Sequence, residues 1–119
     1  MKYAILIYGD EAAGARVSPE EQERSMQGWW GFEGELQKQE GLRLAGEALQ
    51  PTSTATSIRI EDGEQTVTDG PFAETKEQLG GFYLLECKDL DEAIEWAKKL
   101  PMRAGTAEVR PVQEFEQPQ

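Results

Sequence analysis

Tyr3-Ala4-Ile5-Leu6-Ile7-Tyr8 is apolar on both of its alternating sets: Tyr3, Ile5 and Ile7 on one, Ala4, Leu6 and Tyr8 on the other. A strand with one side in water alternates apolar with polar residues. This one reads as covered on both faces. Phe82 to Cys87 repeats the pattern, with Glu86 as its polar interruption. Two such strands put a sheet at the centre of the fold and require a covering layer on each side of it.

Between them lie one long helix and a hairpin. Ser18-Pro19-Glu20-Glu21 is a helix start: Ser18 can cap, Pro19 suits the first helical position, and Glu21 stands where a capping box needs it. The helix is expected to run to Gln39 or Glu40 and to end at Gly41. Its apolar stripe is Met26, Trp29, Phe32 and Leu36, broadened by Trp30. Gly28, Gly31 and Gly34 recur along it and soften it, at about 1 kcal/mol each relative to Ala. The segment before it, Gly9 to Gly14, reads as a mobile loop. Leu42 to Leu49 is a short strand. Ala55 to Glu61 and Glu64 to Thr68 flank Asp62-Gly63, a two-residue hairpin turn.

Downstream, Asp89 with Glu92 opens a second helix on Leu90, Ala93, Ile94, Ala97 and Leu100, and Pro101 stops it. Ala107 to about Phe115 is the last strand, with Pro111 marking an edge position or a bulge. Glu116 to Gln119 is expected to fray. The order is strand, helix, strand and hairpin, strand, helix, strand. That is a split βαβ with an inserted hairpin, in a single domain over residues 1–119. Two helices cover one face of such a sheet. A second copy of the sheet, related by a two-fold axis, is the economical cover for the other.

The hairpin leads into Thr68-Asp69-Gly70-Pro71-Phe72-Ala73-Glu74-Thr75-Lys76-Glu77. Pro71 has a fixed φ and no N–H, and it biases Gly70 towards extended conformations. Gly70 to Ala73 therefore reads as a β-turn, with Asp69 bonded to a nearby N–H and Phe72 as an anchor. The alternative is a ligand-facing loop that places Asp69, Glu74, Lys76 and Glu77 at a pocket mouth.

Composition narrows the chemistry. There are 23 acidic and 12 basic residues, a net charge of −11, one cysteine and no histidine. Such a surface repels phosphate backbones and anionic lipid, which argues against nucleic-acid and membrane partners. No apolar run reaches membrane-spanning length and the start lacks the layout of a signal peptide. The lone Cys87 fits a reducing cytoplasm and an inert core position. Without histidine the commonest general base and metal ligand are missing, and no cofactor or metal is expected. Arg110, between Val109 and Pro111, needs an anion. Asp69, Glu74 or Glu108 could provide it as a structural ion pair, or a carboxylate ligand could.

The run from Asp69 to Glu77 resembles the signature of the DGPF-domain proteins, a branch of the YCII-related family. The likeness extends to Met1 to Tyr8, Asp89 to Ala93 and Glu108 to Val112. It implies a ferredoxin-like α+β protomer assembled as a dimeric α+β barrel. Some YCII-related proteins are thought to use a His–Asp pair as acid and base. This chain has no histidine for it, so Asp69 alone corresponds, as the candidate catalytic carboxylate. The likeness also suggests a regulatory or stress context.

The functional expectation is a homodimer that binds a small molecule between sheet and helices, near Tyr8, Asp69, Phe72, Glu74, Lys76 and Arg110. Two alternatives stand beside it. One is a cofactor-free acid–base enzyme of lactone-processing, isomerising or dehalogenating type. The other is a purely structural interaction module.

Overall fold

The computed structural model describes residues 1–116; the expectation of fraying at the end falls, from residue 117 on, outside the described residues. The protein is α+β. In chain order the elements are β1 (Lys2–Gly9), α1 (Glu11–Gly14), α2 (Pro19–Gln37), β2 (Arg43–Ala48), β3 (Thr56–Glu61), β4 (Glu64–Asp69), β5 (Gln78–Glu86), α3 (Leu90–Lys98) and β6 (Thr106–Pro111). Four strands form an antiparallel sheet in the order β2-β5-β1-β6, and β3 with β4 forms a separate ribbon. Because β5 lies between β1 and β2, which α2 connects, the βαβ unit is split as its element order requires. No helix among the described residues is long and apolar enough to cross a membrane.

One face of the sheet carries the core. Tyr3, Ile5, Leu85 and Cys87 from the strands are buried against Phe32 and Leu36 of α2 and Ala93 and Trp96 of α3, with Leu42 and Leu100 closing the margins. Phe32 is the hub, edge-on to Tyr83, Trp96 and Trp29 at centroid distances of 5.4, 6.2 and 6.3 Å. Such pairs add about 0.5–1.5 kcal/mol each beyond area burial. Burial raises the Cys87 thiol pKa to about 11.

The opposite face is also apolar. Ala4 pairs with Leu84 and Leu6 with Phe82 across β1 and β5, and Ala45 of β2 continues the row beside Leu84. These side chains stand outside the core cluster and remain partly exposed. Both helices pack on the other side.

The structure corrects several local expectations. The segment expected to be a mobile loop holds α1, because the Asp10 carboxylate accepts the N–H groups of Ala12 and Ala13. Helix α2 stops at Gln37, short of Gln39, and Gly41 takes a φ of +79°. Of its expected stripe, Phe32 and Leu36 are buried and Trp29 packs against the core, whereas Met26 and Trp30 are exposed. Gly70 adopts φ +100° rather than an extended conformation. Its N–H is drawn to the Ala55 carbonyl at 2.7 Å, which reverses the chain at the ribbon's base before Pro71 is reached.

Of the stripe expected for the second helix, Ala93 and Leu100 are buried and Ala97 packs against the core, while Leu90 is exposed and Trp96 takes the buried place instead. Strand β6 ends at Pro111, at the sheet edge, short of Phe115. Among the α2 glycines, Gly28 meets Pro101 closely, whereas nothing lies within 4 Å of a Cβ placed on Gly31.

Two outcomes test this packing. Gly105 has φ +113° and a Cβ there would strike the Tyr8 carbonyl. Gly105→Ala should therefore cost roughly 1–3 kcal/mol in urea unfolding, while Gly31→Ala should stabilise by about 1 kcal/mol. Equal shifts of the same sign would contradict the geometry. Cys87 in the folded protein should react with Ellman's reagent at pH 8 more than about a hundredfold slower than in unfolded chain, because burial suppresses its thiolate.

Candidate functional site

The candidate site is a corner where three strand ends meet. Gly9 at the end of β1 pairs with Gln78, Tyr8 with Leu79 of β5, and Tyr8 also with Thr106 of β6. Between Ile7 and Tyr8 the β5 register skips Gly80, a bulge that bends the strand as the signature loop enters it.

Side chains stitch the corner to its surroundings. The Glu11 N–H donates to Gln78 Oε1 at 2.9 Å, and the Glu11 carboxylate accepts from both the N–H and the hydroxyl of Thr52, each at 2.9 Å. Gln78 Nε2 donates back to the Thr75 carbonyl, and the Thr106 hydroxyl donates to Glu77 Oε1 at 2.8 Å. Glu77, placed by the sequence at a possible pocket mouth, therefore ties the loop to β6. Glu11, Gln78 and Thr52 hold the loop, the turn before β3 and α1 in one network.

The predicted site residues divide into three groups. Tyr8 stands at the corner, in the alternating set with Leu6 and Ala4. Asp69, Glu74 and Lys76 are exposed along the loop, and Phe72 is 82% exposed, so it anchors nothing within its own protomer. The turn is secured instead by the Gly70 N–H on Ala55 and by the Ser57 hydroxyl, which donates to the Gly70 carbonyl at 2.7 Å. Arg110 is registered with Ala4, four residues along β1 from Tyr8 and so about 13 Å away. Of its three possible carboxylate partners it takes Glu108, at 2.6 Å.

The expected placement of the pocket is corrected as well. The layer between sheet and helices is filled by the core, and Tyr8 and Arg110 belong to the opposite face. An open groove of about 940 Å³ runs past Leu42, Glu86, Lys88, Glu92, Trp96 and Lys99, and a recess of about 240 Å³ lies by Arg24, Pro101 and Arg103. Neither includes a predicted site residue.

One polar cluster escaped the sequence reading. Glu33 of α2 and Arg43 of β2 form a half-buried ion pair, with Arg43 Nη2 also donating to the Gly46 carbonyl at 3.2 Å. Arg43 Nε touches Glu33 Oε1 without hydrogen-bond geometry, and Glu33 Oε2 has no donor among the described residues. The Arg43 guanidinium lies 6.0 Å from the Tyr83 ring centroid. The Tyr83 phenol is pushed upward in pKa, first by burial and then by the nearby Glu33. Its ring fills the space above Gly46, where any side chain would collide at 2.6 Å. A signal was present: Glu33 shares the α2 face of Trp29 and Leu36, and a carboxylate there calls for a cation.

The YCII-related domain family matches residues 1–116. An uncharacterized protein of Rhizobium meliloti (strain 1021) is 43% identical over 115 residues, which span 94% of this chain and 92% of that protein. The family match runs through β1, the Asp69 corner and β6 alike, and with the whole described fold accounted for, this chain belongs to the YCII-related family.

Proposed function

We propose that the protein is a homodimer of ferredoxin-like protomers, paired sheet to sheet as an α+β barrel, that binds a small molecule in the hollow between the two sheets. One observation carries the reading: Ala4, Leu6, Phe82 and Leu84 form an apolar sheet face that both helices leave uncovered. Completing their burial is favourable at roughly 25 cal/mol per Å² of apolar surface, which favours association of two such faces.

The same face supports a ligand site as well as a contact. Its centre is apolar along β1 and β5, and its β6 side is a polar row of Thr106, Glu108 and Arg110, opposite Tyr8, Leu6 and Ala4. An apolar hollow with a few placed polar groups suits a small organic molecule, and Arg110 suits an acidic group on it. The Asp69 corner borders the open end of this face, where Tyr8 stands. Its part is to orient the ligand by hydrogen bonds at the mouth. The family likeness adds a regulatory or stress context.

Light scattering on the eluting protein at micromolar concentration should give twice the chain mass. A monomer mass would refute the paired sheets. In a thermal-shift screen of metabolites, a true ligand should raise the midpoint of the wild type and lose that effect with Asp69→Asn. At a hundredfold excess over Kd, a ligand stabilises by about 2.7 kcal/mol. Equal shifts in both proteins would remove Asp69 from the site.

A further inference from the structure

We infer that the β3–β4 ribbon is an arm that packs on a second copy of this chain and carries the Phe72 corner against it. The inference rests on the dimer reading above and names what completes the interface.

The ribbon stands away from its own protomer. Every residue of β3 and β4 except Ser57 is exposed, so the ribbon is buried against no other element of the protomer. The molecule accordingly measures 52 × 46 × 19 Å, with a radius of gyration of 16.7 Å, against about 13.5 Å for a compact chain of this length. The ribbon is also amphipathic. Its register sets Ile58 opposite Val67, with Ile60 on the same side, while Ser57, Arg59, Thr66 and Thr68 occupy the other. Ile58, Ile60 and Val67 are 60%, 63% and 66% exposed. A two-stranded ribbon in water is marginal at best, so this apolar side needs a surface to lie on.

The area points to a second copy as that surface. The open sheet face has four strands of about six residues. At about 3.3 Å per residue and 4.8 Å between strands, this is a footprint of roughly 400 Å². A stable interface buries about 800 Å² on each partner. Under two-fold symmetry each copy gives an arm and receives one, and the two contacts bring the footprint to about the required size. The chain thus offers two unfilled apolar surfaces, an arm and a sheet face, that do not meet within one protomer. Pairing of the sheets covers the one, and reciprocal exchange of arms beside it covers the other.

The geometry has a consequence for the site. Asp69 ends the arm and Phe72 follows three residues later. The far end of the loop is held on its own protomer by Glu77 and Gln78, so an arm laid on the partner brings Asp69 and Phe72 to the seam between the two subunits.

The test uses the full chain. Hydrogen exchange of the segment 57–68 is measured well above and well below the dimer dissociation constant. Protection at least about tenfold greater in the dimer is expected, because a free ribbon frays. Protection that is the same at both concentrations would overturn the arm and indicate a ribbon resting on its own protomer. In parallel, Ile58→Glu/Ile60→Glu should weaken the dimer about a hundredfold or more in sedimentation equilibrium, with unchanged far-ultraviolet circular dichroism, while Arg59→Gln on the polar side leaves it intact. A double variant that dimerises as tightly as wild type would overturn the arm and leave the paired sheets standing. A wild type that is monomeric throughout would overturn both.

Discussion

The fold depends on a mismatch between a sheet that is apolar on both faces and a pair of helices that can cover one. Tyr3, Ile5, Leu85 and Cys87 find their partners in Phe32, Leu36, Ala93 and Trp96. Their neighbours in the same strands, Ala4, Leu6, Phe82 and Leu84, do not. Successive side chains of a strand point to opposite faces, so neither β1 nor β5 can turn its second set inward without losing the first. The uncovered face is therefore built into the two central strands rather than into any loop. It is the feature on which the proposed pairing of sheets rests.

The acid-rich corner is organised by the same strands. Its backbone is set by the ends of β1, β5 and β6, and its position relative to the ribbon by Glu11, which grips Thr52 just before β3. Gln78 and Glu77 fix the other side of the loop. The residues left free by this network, Asp69, Phe72, Glu74 and Lys76, are the ones that project outward. Scaffold and presentation are thus divided between neighbouring residues of one short run, as in loops positioned by a rigid frame. The Glu33–Arg43–Tyr83 cluster plays a different part: it closes the outer edge of the core, where α2 crosses β2, with the Tyr83 ring laid over Gly46.

How much of this was legible in the chain depended on how local the deciding physics is. The capping of α2 by Ser18 and of α3 by Asp89, the Asp62-Gly63 turn and the two-faced reading of β1 follow from residues within a few positions of each other. Each stands in the structure where local chemistry puts it. The errors have the opposite character. Met26 and Trp30 have the spacing of a buried stripe, but both are exposed while Trp29, Phe32 and Leu36 of the same helix reach the core. Phe72 has the character of an anchor, but it stands exposed on the loop that joins the ribbon to β5. Gly70 bends away from the extended form because the Ala55 carbonyl, fifteen residues earlier, claims its N–H.

By itself, then, the chain determined the order of the longer elements, the caps that start α2 and α3 and the demand for two covering layers, because periodicity, capping and turn chemistry act over one or two turns or strand steps. Tertiary structure alone decided which face the helices took and that the hairpin stands apart from the sheet. Those outcomes turn on distances between residues far apart in the chain. No local pattern encodes such distances, since the same alternation serves a strand whichever side its neighbours pack on.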